Sequence, residues 1–442
     1  MIRLSYLYER GHAGEETLAM AGYLVRTLTY AIMNTIIRYL LITTCLFFTL
    51  ISCEHENPKS GSTLAMDKLN SGAGLRVGSA VVSISPENQT GVSMEGYDPR
   101  SSTGINDAIS SRCIVIADDH SIVALIALDL IGITQSQITT LKAQIKQATG
   151  LTEENIFIHA IHTHSGPSMM DGRVNDKYLS TMYKNSTDAT VQALNSLQNV
   201  KAIARSGISN VKTINRRNPE RSVKNEFATI EFQNDKKKNI ATILNFSCHP
   251  VVLGPTNTKI TADYVHFLRD AVENELGGTA LFFNGSLGNI NPDRVGTSNP
   301  YDRSGGTFEM AKNFGQALAN DILHNYTKSD TATITVRTAT GSVDYGQRTS
   351  ISILDLGIIQ IASMPGEPLD SFGEDIKKLL PGPYKIVIGM TNDYIGYIVP
   401  ENDWNHCTNT FKPSCYEETV GGGMKVPGAL KEGFGNLVKD LF

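Results

Sequence analysis

Two histidines stand one residue apart at the point where an apolar run of this chain ends. The run covers residues 157–161, the pair is His162 and His164, and Ser165-Gly166-Pro167 follows as a turn. Side chains at positions i and i+2 of a strand share a face, so both imidazoles are predicted to point the same way. Neutral imidazole is a common ligand for zinc. The pair alone leaves two interpretations open, a metal site or ordinary polar residues at a strand end.

Three further apolar runs, at 240–246, 351–362 and 385–390, are followed by side chains that can bind metals. These side chains are His249, Glu367 and the pair Tyr394 and Tyr397. Two or three histidines, a carboxylate and an open position make a catalytic zinc site. Sequence spacing leaves open whether the strand ends meet.

Apolar runs of strand length alternate with helical patterns along the chain, and short turns join several of the strands. This mixture predicts an α/β protein in which mixed β-sheets are covered by helices in a single domain. The predicted helices cover residues 135–149, 176–197, 263–276, 308–326, 369–380 and 429–441. The predicted strands include 113–117, 122–129, 155–161, 279–283 and 332–336.

The composition excludes several kinds of function. The chain of 442 residues carries a formal net charge of −5 and no long Lys- or Arg-rich run, which argues against nucleic-acid binding. None of the six cysteines belongs to a Cys-x-x-Cys pair, which argues against a zinc ribbon or a thioredoxin-type site. Cys407 and Cys415 bracket a short loop and are predicted to form a disulfide if the compartment is oxidising.

The first 52 residues are predicted to be a leader. Arg38 precedes an uncharged apolar run at 39–50, which is too short to span a membrane comfortably. The run ends in Leu50-Ile51-Ser52-Cys53, which resembles a bacterial lipobox. We therefore expect lipid modification of Cys53 after cleavage in front of it. The alternatives are a simple secretory peptide or an N-terminal membrane anchor.

These signals set the expected domain boundaries and location. A complete signal begins at Met33, which we expect to be the true start of translation. Residues 53–74 are predicted to be a flexible tether, and residues 75–442 are predicted to be the folded domain. The expected location is the bacterial cell envelope, with the protein lipid-anchored on a periplasmic or cell-surface face.

Six short motifs resemble, in the same order, those of the neutral/alkaline non-lysosomal ceramidases. The first, His162-Thr163-His164-Ser165-Gly166-Pro167, looks like the family's His-Thr-His-Ser-Gly-Pro. The others are Asn215-Arg216-Arg217-Asn218-Pro219, Ser247-Cys248-His249-Pro250, Gly288-Asn289-Ile290-Asn291-Pro292-Asp293, Pro365-Gly366-Glu367 and Asn392-Asp393-Tyr394-Ile395-Gly396-Tyr397. The resemblance implies a single catalytic domain like the N-terminal domain of the neutral ceramidases.

The resemblance also implies roles for individual residues. The zinc ligands it implies are His162, His249, Glu367 and Tyr397. Tyr394 is the less favoured substitute for Tyr397, and His164 would lie beside the metal. Arg216 or Arg217 would reach the substrate oxygen, and the extra arginine leaves that choice open.

Two departures from the family pattern bear on the substrate. Asn291 occupies the position of the family's nucleophilic serine, and a carboxamide cannot replace a hydroxyl nucleophile. The chain also ends soon after the motifs, so we expect it to lack the family's C-terminal immunoglobulin-like domain. Both departures argue against ceramide itself as the substrate.

A hydrolytic mechanism without a serine is consistent with these residues. Binding to zinc lowers the pKa of water from about 16 to about 7, so zinc-activated water is the expected nucleophile. His164 would act as general base or acid, and the arginine and the amide of Asn291 would stabilise the oxyanion. Asp129 either orients the histidines or is a plain strand-end residue. Asp263 is either a contact beside the site or a helix N-cap, with the N-cap favoured.

Three functions remain open at this stage. The first is a zinc-dependent hydrolase of an N-acyl bond in a sphingolipid-like or related amphiphile. The second is a zinc hydrolase on the same scaffold that acts on a glycosidic or ester bond of a glycan or glycolipid, since fold does not fix the bond cleaved. The third is a non-catalytic surface binding protein. The expected partners are a small amphiphilic or glycan substrate and the membrane that holds the lipid anchor.

Overall fold

The computed structural model describes residues 62–293, 304–405 and 415–442, so the predicted leader and Cys53 lie outside the described residues. The helices are α1 (Leu64–Asn70), α2 (Gln135–Thr149), α3 (Asp176–Asn195), α4 (Tyr264–Leu276), α5 (Phe308–His324), α6 (Asp370–Leu379), α7 (Tyr416–Thr419) and α8 (Lys425–Leu441). The strands are β1 (Arg76–Ser83), β2 (Thr90–Met94), β3 (Arg100–Ile105), β4 (Ser110–Ala117), β5 (Ile122–Leu128), β6 (Ile156–Ala160), β7 (Gln198–Asn199), β8 (Lys201–Ile208), β9 (Thr213–Asn215), β10 (Glu226–Gln233), β11 (Asn239–Phe246), β12 (Lys259–Ile260), β13 (Thr279–Asn284), β14 (Ile290–Pro292), β15 (Tyr326–Ala332), β16 (Arg337–Asp344), β17 (Arg348–Asp355), β18 (Ile359–Ser363), β19 (Glu367–Pro368), β20 (Tyr384–Ile388) and β21 (Tyr397–Ile398).

Two five-stranded sheets form the centre of the fold, with strand orders β6-β5-β4-β1-β7 and β13-β11-β10-β8-β15. Most neighbours in them are antiparallel, but β5 pairs with β6 and β11 pairs with β13 in parallel. A third sheet, β16-β17-β18-β20, also contains a parallel pair, β18 with β20. Parallel strands bring their carboxyl ends to one edge of a sheet. Residues that follow β6, β11 and β18 therefore lie at sheet edges, and the predicted mixed α/β fold is confirmed.

The first sheet is buried on both faces, and β4 shows how. Cys113 and Val115 belong to a core that the sheet shares with α2 and α3. Ile114 and Ile116 belong to the core that it shares with the second sheet, α4 and α5. Side chains alternate across a strand, so four consecutive apolar residues are needed to fill both cores. A separate core joins the third sheet to α6 and α8.

Helix α2 begins and ends where its sequence signals predict. Thr134 is the N-cap, and its side chain and that of Gln137 form a reciprocal capping box. Gly150 follows the last helical residue with a left-handed φ of 76°, and its N–H donates to the Lys146 carbonyl. The helix is thereby fixed at both ends beside the strand that carries the first two histidines.

Two predictions about secondary structure are wrong. Part of the predicted tether is the helix α1, whose Ala65 is buried, and the preceding Ser62 N–H donates to the Gln147 carbonyl at 3.2 Å. Of the predicted strand 332–336, only Ala332 belongs to a strand, β15, and the rest falls in the connection between β15 and β16, where the Val336 N–H donates to the Asp118 carboxylate at 2.7 Å. The apolar pattern there reflects burial without a ladder. In the described part of the chain, every helix is too short or too polar to cross a membrane.

Candidate metal centre

His162 follows the end of β6 and has an unusual backbone, with a φ of 72°. Its N–H donates to the Leu130 carbonyl at 2.9 Å, and its ring Nδ1 donates to the Ile131 carbonyl at 2.6 Å. Both carbonyls follow β5, so the neighbouring parallel strand fixes this imidazole. A left-handed residue other than glycine costs on the order of 1–3 kcal/mol and is typical of positions held for function.

His164 is fixed by the loop between β2 and β3. Its Nδ1 donates to the Gly96 carbonyl at 3.0 Å, and its ring centroid lies 5.0 Å from that of Tyr97. The Arg100 guanidinium donates to the His164 carbonyl. Both the ring and the backbone of His164 are therefore positioned from one segment.

His249 is fixed by a single carbonyl. The Ile290 oxygen accepts from the His249 backbone N–H at 2.9 Å and from its ring Nδ1 at 3.0 Å. Since Ile290 opens β14, the Gly288–Asp293 motif positions this histidine. The imidazole is fully buried.

The three imidazoles converge through the same ring atom. Each one donates from Nδ1 to a backbone carbonyl, so the neutral form of each ring carries its lone pair on Nε2. The Nε2 atoms of His162 and His164 are 3.3 Å apart, and candidate ligand atoms of all three histidines lie within 4.8 Å of one another. Such a set of lone pairs is suited to a cation.

Glu367 adds a buried carboxylate to the three histidines. Its Oε2 lies 3.1 Å from His249 Nε2 and 3.4 Å from His162 Nε2. Ligand atoms about 2.0–2.1 Å from a tetrahedral zinc are about 3.3–3.4 Å from one another. The donor types and their spacing therefore fit a tetrahedral ion with nitrogen and oxygen ligands.

The pKa shifts favour the protonation state that binds metals. Burial lowers the pKa of His249 to about 4, and burial, reinforced by the neighbouring histidines, holds the pKa of His164 well below its usual range. Burial acts to raise the pKa of Glu367, but His162 and His249 outweigh it and hold that pKa well below its usual value. In its neutral form each imidazole directs an Nε2 lone pair towards this carboxylate, an arrangement that a bound cation would favour.

A family model described as neutral/alkaline non-lysosomal ceramidase, N-terminal, matches residues 76–298. The chain belongs to this family. The match includes both histidine motifs and the Asn291 motif, whereas Glu367 and the tyrosines lie beyond it. No curated protein gives a significant match.

Two solved structures share the fold. Neutral ceramidase from Pseudomonas aeruginosa is 17% identical, with a TM-score of 0.70, and the alignment covers 84% of this chain and 75% of that one. A ceramidase complexed with C2 is 16% identical, with a TM-score of 0.71 and the same coverage of both chains. At this identity the likeness concerns the fold, which agrees with the ceramidase-like domain that the motifs predict.

The two tyrosines that the family motif offers as ligands occupy different places. The Tyr394 hydroxyl donates to Glu367 Oε1 at 3.0 Å. Tyr397 pairs with Glu367 through the parallel ladder of β19 and β21, and its ring centroid lies 5.3 Å from the Arg216 guanidinium carbon. Both tyrosines are therefore beside Glu367, with Tyr394 bound to the carboxylate itself.

The structure separates the two arginines of the Asn-Arg-Arg-Asn-Pro motif. The Arg216 guanidinium carbon lies over the Tyr397 ring. The Glu367 carboxylate also interacts electrostatically with this guanidinium. Burial acts to lower the pKa of Arg216, but Tyr397, Glu417 and Glu367 together raise it above its usual value. Arg216 is thus a permanently charged group on the tyrosine side of the metal centre.

Arg217 points into a different set of partners. Its guanidinium donates to Glu417 at 3.0 Å, to Glu418 at 2.7 Å and to the Asp403 carbonyl at 2.7 Å. The choice between the arginines that the sequence left open therefore falls on Arg216. The catalytic role of Arg217 stays a prediction, and its guanidinium is held by acceptors of Glu417, Glu418 and Asp403.

Asn291 lies in β14, opposite Ile214 of β9. The same ladder pairs Ile290 with Asn215, and the Arg216 N–H donates to the Asn289 carbonyl at 2.8 Å. Within the described part of the chain, the buried Asn291 Oδ1 has no hydrogen-bond partner. Its carboxamide oxygen therefore has unused hydrogen-bonding capacity at the position of the family's serine.

The favoured interpretation of Asp263, as the N-cap of α4, is confirmed. It accepts from the Tyr264 N–H at 2.7 Å and precedes α4 with a φ of 56°. It also accepts from the Val252 and Leu253 N–H groups at 3.1 and 3.0 Å. The carboxylate therefore ties the loop after His249 to the start of α4.

The interpretation of Asp129 as a residue that orients the histidines is wrong. Its two oxygens accept from Arg269 at 2.6 and 2.9 Å, and Ser110 donates to one of them from both its N–H and its hydroxyl at 2.9 Å. Burial acts to raise the pKa of Asp129, but Arg269 outweighs it and lowers that pKa. His162 is positioned instead by the backbone carbonyls of Leu130 and Ile131, the two residues that follow Asp129.

The predicted disulfide is only half within the described residues. Cys415 is disulfide-bonded, and Cys407 lies outside the described residues. The Cys407–Cys415 pairing stays a prediction.

Asn284 is a site residue that sequence reasoning missed. Its Nδ2 donates to the Ile161 carbonyl at 3.2 Å and to the Cys248 carbonyl at 2.9 Å, and its Oδ1 accepts from the Cys248 N–H at 3.1 Å. The fully buried amide thus joins the residues immediately before His162 and His249. The available signal was a polar residue that ends an apolar run, but Asn before Gly also fits an ordinary turn.

Replacing Asn284 by alanine is expected to lower zinc affinity about 10–100-fold, because supports of metal ligands typically contribute that much. The free energy of unfolding should fall by about 1–3 kcal/mol per buried group left unpaired. Zinc titration and urea unfolding measure the two effects. Asn245→Ala is the matched control, since this buried amide donates to the Phe283 and Val387 carbonyls. Equal losses of zinc affinity in both variants would contradict the role of Asn284.

Proposed function

We propose that this member of the ceramidase family is a zinc-dependent hydrolase that cleaves an N-acyl bond of an amphiphilic substrate. The observation that carries the proposal is the convergence of His162 Nε2 and His249 Nε2 on Glu367 Oε2, at 3.4 and 3.1 Å, with His164 Nε2 beside them at 3.3 Å from His162 Nε2. A structural ion pair would not require several imidazoles to direct the same ring atom towards one carboxylate. Family membership supports hydrolysis as the reaction class.

The proposed ligands are His162, His249, Glu367 and Tyr397, with Tyr394 as the alternative fourth ligand. A bound zinc would supply a Lewis acid that activates water and polarises the acyl carbonyl. His164 takes the proton of the attacking water on Nε2, because its Nδ1 proton is held by the Gly96 carbonyl. The same atom returns the proton to the leaving amine.

Two further groups act on the oxygen that gains charge. Arg216 is charged at every working pH and faces the centre from the side of Tyr397. Asn291 donates from its amide to the same oxygen or accepts from the substrate amide N–H through Oδ1. Preorganised donors of this kind contribute about 10²–10³-fold each.

Asn291 favours a second candidate function. A hydroxyl at this position would permit a covalent acyl intermediate, whereas a carboxamide leaves water as the nucleophile. A water-only mechanism also serves a glycosidic or ester bond of a glycan or glycolipid. The proposed location, lipid-anchored at the bacterial cell envelope through Cys53, gives access to either substrate class.

The test is a metal assay followed by a substrate panel, on protein that begins after Cys53. We expect close to one zinc per chain and turnover of short-chain N-acyl amphiphiles that stops with a chelator and returns with zinc. Turnover of glycans or esters alone would move the conclusion to the second function. A chain that binds zinc but turns over none of the three classes would favour a binding protein.

A further inference from the structure

Glu417 is a buried carboxylate that lies outside all six family-like motifs. It lies in the short helix α7, near the end of the chain, and is 1% exposed. Its Oε1 accepts from Arg216 Nε at 2.7 Å, and its Oε2 accepts from Arg217 Nη1 at 3.0 Å. Both oxygens are thus used by the arginine pair, of which one member faces the metal centre.

The contacts of Arg216 restrict its guanidinium from two directions. The bond from Nε to Glu417 lies along one edge of the planar group, and the guanidinium carbon lies over the Tyr397 ring, 5.3 Å from its centroid. A planar guanidinium that is held at its Nε edge and lies over an aromatic ring is restricted in orientation. A side-chain hydrogen bond with Tyr397 also holds Arg216 on the Tyr397 side of the centre.

The positive charge of Arg216 also requires a carboxylate partner, because the side chain is largely buried. The Arg216 side chain is 14% exposed, and a buried guanidinium without a carboxylate is strongly destabilising. Glu417 supplies that carboxylate and is not itself one of the proposed metal ligands. Without Glu417, the remaining carboxylate that interacts strongly with the Arg216 charge is that of Glu367, which is a proposed metal ligand.

We propose that Glu417 is the positioning residue of Arg216, holding the guanidinium by its Nε edge so that its outer nitrogens face the substrate oxygen. The inference rests on the proposed function for its catalytic consequence. Under this proposal α7 completes the site because its Glu417 holds Arg216, although α7 contributes no metal ligand.

The neighbouring Glu418 offers a matched control. Its side chain is also buried, at 4% exposed, and it pairs with Arg217 at 2.7 Å. The test therefore compares Glu417→Ala and Glu418→Ala, together with Glu417→Gln, Arg216→Ala and the double variant Arg216→Ala/Glu417→Ala. Zinc-loaded protein is used throughout, with a short-chain N-acyl amphiphile as substrate and urea unfolding as the measure of stability.

Glu417→Ala should lower kcat about 30-fold with KM within about threefold, as expected when a transition-state contact is lost. Glu417→Gln keeps an acceptor for Nε and should recover part of that loss. Glu418→Ala should stay within about threefold of the wild type in kcat while losing comparable stability. The double variant should be no slower than Arg216→Ala, because the two residues act as one unit. Equal losses of kcat in the two alanine variants, or additive losses in the double variant, would overturn the proposal.

A second readout is independent of turnover. The Nε–H resonance of Arg216, assigned with Arg216→Lys, should be protected from solvent exchange in the wild type and in Glu418→Ala, and should lose that protection in Glu417→Ala and partly in Glu417→Gln. An unchanged resonance in Glu417→Ala would overturn the positioning role. If the wild type hydrolyses no N-acyl substrate, the proposed function fails, whereas this comparison still decides the role of Glu417.

Discussion

Replacing His249 by alanine is expected to remove the metal ion and lower kcat/KM by at least about 10⁴-fold. The variant loses an Nε2 that lies 3.1 Å from Glu367 Oε2, so the carboxylate and His162 must hold the ion without their buried partner. A catalytic zinc that loses one of its four proposed protein ligands binds weakly, and without the metal the water keeps the high pKa of bulk water. Elemental analysis of the purified protein and a zinc titration measure the loss directly.

His159→Gln is the matched control for this experiment. His159 is also fully buried, but its Nδ1 contacts the Gly389 carbonyl at 2.9 Å and its Nε2 accepts from the Asn284 N–H at 3.1 Å. Burial lowers its pKa to about 3, so it too is neutral at working pH. The control should lose stability and still bind zinc. A His249→Ala protein with the zinc content of the wild type would refute the proposed ligand set.

The strand ends were predictable because they depend on local pattern. An apolar run that ends in a histidine identified His162 and His249, and the parallel pairs of β5 with β6 and β11 with β13 place both at sheet edges. The cap signals of α2 were equally local, since Thr134 and Gly150 act within one helical turn. Such features need no knowledge of distant partners.

The failures concern side chains whose partners are far away in sequence. Asp129 pairs with Arg269, 140 residues later, and no local pattern distinguishes that ion pair from a contact with a neighbouring histidine. Arg216 and Arg217 differ because Glu417 and Glu418 hold them differently, about 200 residues later. A sequence gives residue types at a strand end, whereas the choice among them is made by tertiary contacts. The Nδ1 acceptors of the three histidines were hidden for the same reason, since all are backbone carbonyls.

Replacing Gly96 by alanine is expected to lower kcat/KM by about 10²–10³-fold while zinc binding is largely kept. Gly96 has a φ of 101°, and a Cβ built on it would lie 2.7 Å from the His164 ring. The Gly96 carbonyl also accepts from His164 Nδ1, so the clash acts on the residue that fixes the ring and its tautomer. Displacing a general base costs about 10²–10⁴-fold, whereas the ligands His162, His249 and Glu367 are held from other segments.

Gly91→Ala separates this clash from the backbone strain of an alanine at positive φ. Gly91 has a φ of 77°, and a Cβ there would meet no atom within 4 Å. Both alanine variants should therefore lose stability through their backbones, by about 1 kcal/mol for Gly91. Only Gly96→Ala should lose activity beyond what its stability explains. Equal activity in the two variants would mean that the His164 ring can move without consequence. His164 would then not be the group that transfers the proton, and the base would have to be sought on the side of Arg216 and Tyr397.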